Sequence, residues 1–166
     1  MLPTVGLRPC PRRVLLQSLL AAGCIGAIML ALDTLLHAAI VSSLGATTFI
    51  VFALPHSQSA QPRSVLCGYA AGAVAGILLW LAFRFIQPKL LAAAVRGWQI
   101  GLGAVAVGTA MLLMVWTHHP HPPAAGLALG MVMGKWTVTT LAFTALAIIL
   151  LCGLRQCLRR WLVDLV

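Results

Sequence analysis

Acidic residues are almost missing from this chain. It has no glutamate, and its 166 residues include only two aspartates, Asp33 and Asp164. Charge of either sign is scarce, at 8% of residues, against about 25% in a typical soluble domain. That excludes a water-facing surface over most of the molecule. It also removes the carboxylate pairs on which much acid–base chemistry depends. Neither HExxH nor GxSxG occurs, so the zinc-protease and serine-hydrolase signatures are absent too. The expectation is a protein that is not an enzyme and holds no cofactor. Cysteine is present but unpatterned. Cys10, Cys24, Cys67, Cys152 and Cys157 are odd in number and lack CxxC spacing. They imply neither a disulfide framework nor a zinc site, and read as small apolar packing residues.

What fills the chain is apolar. Hydrophobic residues make up 61% and the mean hydropathy is +1.03. Several runs approach the roughly 20 residues that cross a bilayer, so the sequence reads as an integral membrane protein. The net charge of +9 would suggest nucleic acid in a soluble protein. Here the basic residues sit at the ends of apolar runs, where they act as topology signals and headgroup anchors. The partner is a lipid bilayer, and no nucleic acid is expected. Arg8, Arg12 and Arg13 precede the first run as in a signal peptide, and "LLAAGC" (19–24) resembles a lipoprotein cleavage box. The run continues past Cys24 to Leu32, which favours an uncleaved first span.

Four runs read as transmembrane helices, at about 14–32, 65–83, 97–117 and 136–154. Two shorter ones, about 44–55 and 122–134, are ambiguous. The positive-inside rule separates the alternatives. With four spans and an inner N-terminus, the basic residues divide nine against two, only Arg63 and Lys135 lying outside. Letting the first short stretch cross gives five against six, and letting both cross gives seven against four. The rule therefore favours four spans, with both short stretches re-entrant from the non-cytoplasmic face. The expected fold is all-α: four transmembrane helices plus two re-entrant segments in a two-fold internal repeat. Each half runs in the same direction, with one basic residue before its last helix. Residues 1–13 and 155–166 become basic cytoplasmic termini around a transmembrane domain at 14–154.

Glycine recurs every fourth residue at Gly68, Gly72 and Gly76, and again at Gly126, Gly130 and Gly134. Gly97 and Gly101 add a pair. Such spacing aligns small residues on one helix face and lets backbones approach closely. It serves packing within a bundle or between copies, so a homo-oligomer is one expectation.

Polar residues at membrane depth are costly and therefore informative. Asp33 and His37 lie four residues apart near the end of the first span, placed to pair, to gate or to handle protons. "THHPHPPAAG" (117–126) crowds His118, His119 and His121 among prolines. The three histidines suggest a metal site, but no Cys, Asp or Glu cluster completes a ligand set. Pro122 and Pro123 suit a helix start, where a missing N–H is harmless. A half-helix starting there, or at Gly45-Ala46-Thr47-Thr48, would aim its N–H groups at an anion. In the first case Pro123, Ala124 and Ala125 form the cradle. Arg63 and Lys135, on the same face, would draw the anion in. Snorkelling to headgroups explains both cations equally well, and back-bonding within the helix explains both threonines.

His121-Pro122-Pro123, with Gly45-Ala46-Thr47 and Ala60-Gln61-Pro62-Arg63 ahead of it, resembles the signatures of the HPP family of integral membrane proteins. The resemblance covers most of residues 14–154. It implies a four-helix membrane protein that acts as a transporter, and kinship with plant plastid members implies nitrite or a similar small anion. The chain has neither a long transit peptide nor an appended soluble domain, so it is more similar to a bacterial plasma-membrane member. The competing expectations are a non-transporting membrane scaffold and a divalent-metal handling protein built on His118–His121.

Overall fold

The computed structural model describes residues 11–31 and 38–165, with the side chains of 26–31 and 38 excepted. The Asp33–His37 pair lies outside the described residues. Six α-helices follow one another: α1 Pro11–Ala31, α2 Ala38–Ala53, α3 Pro62–Ile86, α4 Ala92–Trp116, α5 Pro123–Met133 and α6 Val138–Leu158. Short 3-10 turns at Gln58–Ala60 and Gln87–Lys89 flank α3. No strand occurs among the described residues.

Local sequence sets the helix ends. Pro11, Pro62 and Pro123 open α1, α3 and α5, at positions where a missing N–H costs nothing. Thr137 caps α6, accepting from the Thr140 amide while the Thr140 hydroxyl accepts from the Thr137 amide. This is a capping box built from two threonines. α4 ends with His118 at φ 57°. The His118 and His119 amides donate back to the carbonyls of Val115 and Met114, a Schellman closure that needs a left-handed residue. His118 is therefore a turn residue first.

Long-range hydrogen bonds fix the direction of each helix. At the first end of the bundle, the Gln17 amide, early in α1, donates to the carbonyls of Phe52, late in α2, and Val163, beyond α6. Arg155, late in α6, donates to the Pro55 carbonyl just past α2. Gln58, ahead of α3, donates to the His118 carbonyl just past α4. At the far end, Gln99, early in α4, donates to the carbonyls of Val132 and Met133, where α5 finishes. Trp80, late in α3, meets Trp136, ahead of α6, edge to face at 5.1 Å. Successive helices thus alternate in direction, the short α2 and α5 included.

This corrects three expectations. The stretches 44–55 and 122–134 do not turn back. α2 begins at Ala38 and returns to the first end, and α5 runs onward to the far end. Arg63, in the first turn of α3, consequently lies at the first end, and Lys135 at the far one. Finally, α1–α3 and α4–α6 run in opposite directions, so the halves are inverted rather than parallel. The charge count misled because it favoured the most lopsided division, nine against two, over the seven against four that six crossings give. α3, α4 and α6 are long and apolar enough to cross a bilayer, whereas the 11 residues of α5 rise only about 16 Å. A helix this short persists at depth because neighbouring helices, rather than lipid, surround its ends. Six described basic residues, Arg12, Arg13, Arg63, Arg155, Arg159 and Arg160, lie toward the first end. Four, Arg84, Lys89, Arg96 and Lys135, lie toward the far end.

α5 is the centre of the bundle, packed against α2, α3 and α4. Its apolar residues face every way, as suits a helix enclosed on several sides. Glycine makes the enclosure close. On α3, a Cβ at Gly68 would stand 2.5 Å from the His121 Cβ, one at Gly76 would stand 2.9 Å from the Met131 sulfur, and one at Gly72 would overlap the Ala124 carbonyl oxygen. On α5, Cβ atoms at Gly126 and Gly130 would stand 3.2 Å from the Ser43 Cβ and 3.0 Å from the Ile40 Cγ1 of α2. Gly68, Gly72 and Gly76 of α3, and Gly126 and Gly130 of α5, are therefore used inside the molecule. Gly97 and Gly101 of α4 face open space instead.

The outer faces carry exposed Leu78, Phe85, Leu112, Ile149 and Leu150. Exposed Trp116 and Trp161 lie at the first end and Trp98 toward the far end, the placement of membrane-interface aromatics.

Candidate functional site

The start of α5 is pressed against α2 and α3, and four buried polar side chains meet there. His121 is fully buried. Its Nδ1 lies 2.8 Å from the Ser59 carbonyl oxygen and its Nε2 lies 2.9 Å from the Thr47 hydroxyl. A carbonyl only accepts, so Nδ1 carries a hydrogen, and a neutral ring then presents Nε2 as an acceptor. The Tyr69 hydroxyl lies 2.8 Å from the Thr47 hydroxyl and 2.9 Å from that of Ser43. Ser43 also reaches the Pro123 carbonyl oxygen, at 2.6 Å, and Thr47 reaches the Ser43 carbonyl oxygen, at 3.0 Å. The cluster ties α2, α3, the Ser59 turn and the head of α5 together.

Local structure puts each group in place. Ser43 and Thr47 are four residues apart and share one face of α2. Gly68 leaves room for His121 beside α3, and Tyr69, the next residue and the only tyrosine in the chain, points into the same space. Its ring and that of His121 lie 5.5 Å apart between centroids, tilted at 39°. Gly68 is six residues into α3, so the cluster sits about 9 Å along that helix from its start.

The hydroxyl hydrogens do not suffice for all these contacts. Ser43, Thr47 and Tyr69 supply three hydrogens to five contacts when the ring is neutral. One arrangement runs Ser43 to Tyr69 to Thr47 to Nε2. Adding a proton at Nε2 reverses it. Nε2–H then donates to Thr47, Thr47 to Tyr69, Tyr69 to the Ser43 hydroxyl, and Ser43 to the Pro123 carbonyl. The same heavy-atom positions accommodate both directions.

The expected anion cradles are not built this way. Gly45, Ala46, Thr47 and Thr48 lie in the middle of α2, where backbone N–H groups are bonded within the helix. Gly45 faces Ile25, Ala46 is exposed, and the Thr48 hydroxyl bonds back to the Leu44 carbonyl. At α5, Pro122 and Pro123 lack N–H groups, and the amides of Ala124 and Ala125 donate to the carbonyls of His121 and Pro122. Pro122 is exposed, while Pro123 and Ala124 are buried. Arg63 and Lys135 are exposed at opposite ends. Of the expected site residues, the structure brings together Thr47, His121 and the Pro123 carbonyl. Sequence reasoning missed Ser43, Tyr69 and the Ser59 carbonyl, though the lone tyrosine within a glycine series was a usable signal.

His118 is exposed and His119 half-buried, while both nitrogens of the His121 ring are engaged in the polar cluster. Among the described residues, no three His, Cys, Asp or Glu side chains come close enough to hold a metal.

Comparison with known proteins agrees with the apolar helices. A transmembrane protein of Dictyostelium discoideum is 32% identical over 95 residues, which are 57% of this chain and 30% of that protein. The match thus spans less than a third of the relative's length. No solved structure matches. The family model described as "HPP, transmembrane region" matches residues 8–160, with His121 inside the buried cluster. Because that match takes in nearly the whole chain, the protein belongs to the HPP family of integral membrane proteins.

Proposed function

We propose that this protein is a proton-coupled membrane transporter for a small solute, specifically a small inorganic anion. One observation carries the reading: a buried, uncharged hydrogen-bond network centred on His121 joins three helices and can run in either direction. An ionisable residue at membrane depth is costly and points by default to a pathway or a proton relay. Here the network meets the short central helix of an arrangement with two oppositely directed halves, the geometry in which transporters place their sites near the midplane. Hydroxyls and an imidazole would receive the anion, and the accompanying proton would sit at Nε2 of His121. Moving the proton changes which hydrogen bonds hold α5 to α2, so it couples charge to packing.

An apolar cavity of about 310 Å³ opens between α3, α5 and α6, lined in part by Tyr69, Leu127, Thr144 and Ile148. It brings space up to the network from the side. The greater share of basic residues at the first end supports a cytoplasmic placement of that end by the positive-inside rule, with both termini there, and the reading sets the protein in a bacterial plasma membrane. The scaffold reading loses ground because the glycines of α3 and α5 pack internally.

Flux in proteoliposomes tests the proposal. With an inward proton gradient, loaded vesicles should take up at least one of nitrite, nitrate, formate and chloride several-fold faster than empty ones. Uptake should fall when the gradient is collapsed. Equal uptake by loaded and empty vesicles for all four anions would overturn the reading.

A further inference from the structure

A second polar feature lies at the first end, apart from the His121 network. Pro55, His56, Arg155, Gln156, Arg159 and Arg160 line a cavity of about 320 Å³, near the lower limit of small-ligand pockets at roughly 300–1,000 Å³. Arg155 and Arg159 are one helical turn apart at the end of α6, and Arg160 follows. Three guanidinium groups thus surround one opening. The single carboxylate nearby among the described residues, Asp164, is already engaged. Its Oδ1 accepts from the His56 amide at 3.1 Å and lies 3.4 Å from His56 Nδ1. Among the described residues, three cations against one carboxylate leave excess positive charge around the cavity, whatever the state of His56.

The geometry also prepares a donor. Arg155 is anchored by its Nη2, which donates to the Pro55 carbonyl; its Nε is buried and has no partner among the described residues, which leaves the other N–H groups of the fork to meet a ligand. A held guanidinium with donors to spare is the group that recognises tetrahedral oxyanions, because its planar fork matches phosphate oxygens. The neighbouring Trp161 is 76% exposed, which sets the cavity at the level of an interfacial aromatic.

We propose that this cavity is a phosphate-binding site, filled either by the phosphodiester of an anionic phospholipid headgroup or by free phosphate. The proposal does not depend on transport, and its readout is binding rather than flux. The full chain in phosphatidylcholine nanodiscs is titrated with inorganic phosphate at constant ionic strength while its thermal midpoint is followed. A second series replaces part of the lipid with phosphatidylglycerol. Stabilisation that saturates with phosphate assigns the site to the free oxyanion, and stabilisation with phosphatidylglycerol alone assigns it to the headgroup. Either response should weaken at least tenfold in apparent affinity in the Arg159→Gln/Arg160→Gln double variant, which leaves the Arg155–Pro55 contact in place. No saturable response in either series, or an undiminished one in the double variant, would overturn the proposal.

Discussion

Gly72→Ala should cost about 3 kcal/mol or more and leave little folded protein, an effect at the upper end of overpacking. The reason is local and rigid. The added methyl would overlap the Ala124 carbonyl oxygen, which is backbone and cannot rotate away. α3 and α5 would have to separate, and the separation would reach both Gly68, against His121, and Gly76, against Met131. Gly97→Ala provides the contrast. Its Cβ meets nothing within 4 Å, so only helix propensity changes, which favours alanine by up to about 1 kcal/mol. Reversible unfolding in mixed micelles measures both variants. Similar values for the two would show that α3 and α5 are not in close approach.

His121→Leu should be the second large effect, at about 2 kcal/mol. It keeps an apolar side chain against Gly68 but removes both ring nitrogens. The Ser59 carbonyl loses its donor and Thr47 loses Nε2. Two hydrogen bonds at about 1 kcal/mol each set the scale, and the weaker averages measured inside membranes set a lower bound near 0.6 kcal/mol per bond. Thr48→Val should change little beside it, because the Thr48 hydroxyl bonds only to the Leu44 carbonyl of its own helix. At a temperature where His121→Leu remains folded, anion uptake should no longer respond to the proton gradient. Gradient-driven uptake equal to wild type in that variant would remove His121 from the mechanism and leave it a packing residue.

Much of this architecture is legible in the amino-acid sequence, though the topology is not. Apolar runs and proline positions locate the helices because each signal is local. The fourfold glycine spacing correctly marks close approach, since only a residue without Cβ fits there. What the sequence conceals is which neighbours make a short helix tolerable. α5 is too short for a lipid-exposed span, and a length criterion consigns it to one face of the membrane. The shelter that makes it viable comes from α2, α3 and α4, a property of the assembled bundle. The same dependence hides the site. Thr47 and His121 stand out as polar residues at depth, yet Ser43 and Tyr69 become relevant only when α2 and α3 meet. The His-Pro-Pro tripeptide combines two roles that spacing alone does not separate. The prolines start a helix, and the histidine reaches back into the core.

The central claim is that α2 and α5 run through the bundle, so that its two halves are oppositely directed around His121. Arg63 and Lys135 test it most directly, because both are exposed, Arg63 in the first turn of α3 and Lys135 just before α6. In a background with all five cysteines replaced, Arg63→Cys and Lys135→Cys are labelled separately with a membrane-impermeant maleimide, in right-side-out and in inverted vesicles. The account predicts that the two positions label from opposite sides of the membrane. Labelling of both from the same side would contradict it and restore the re-entrant arrangement.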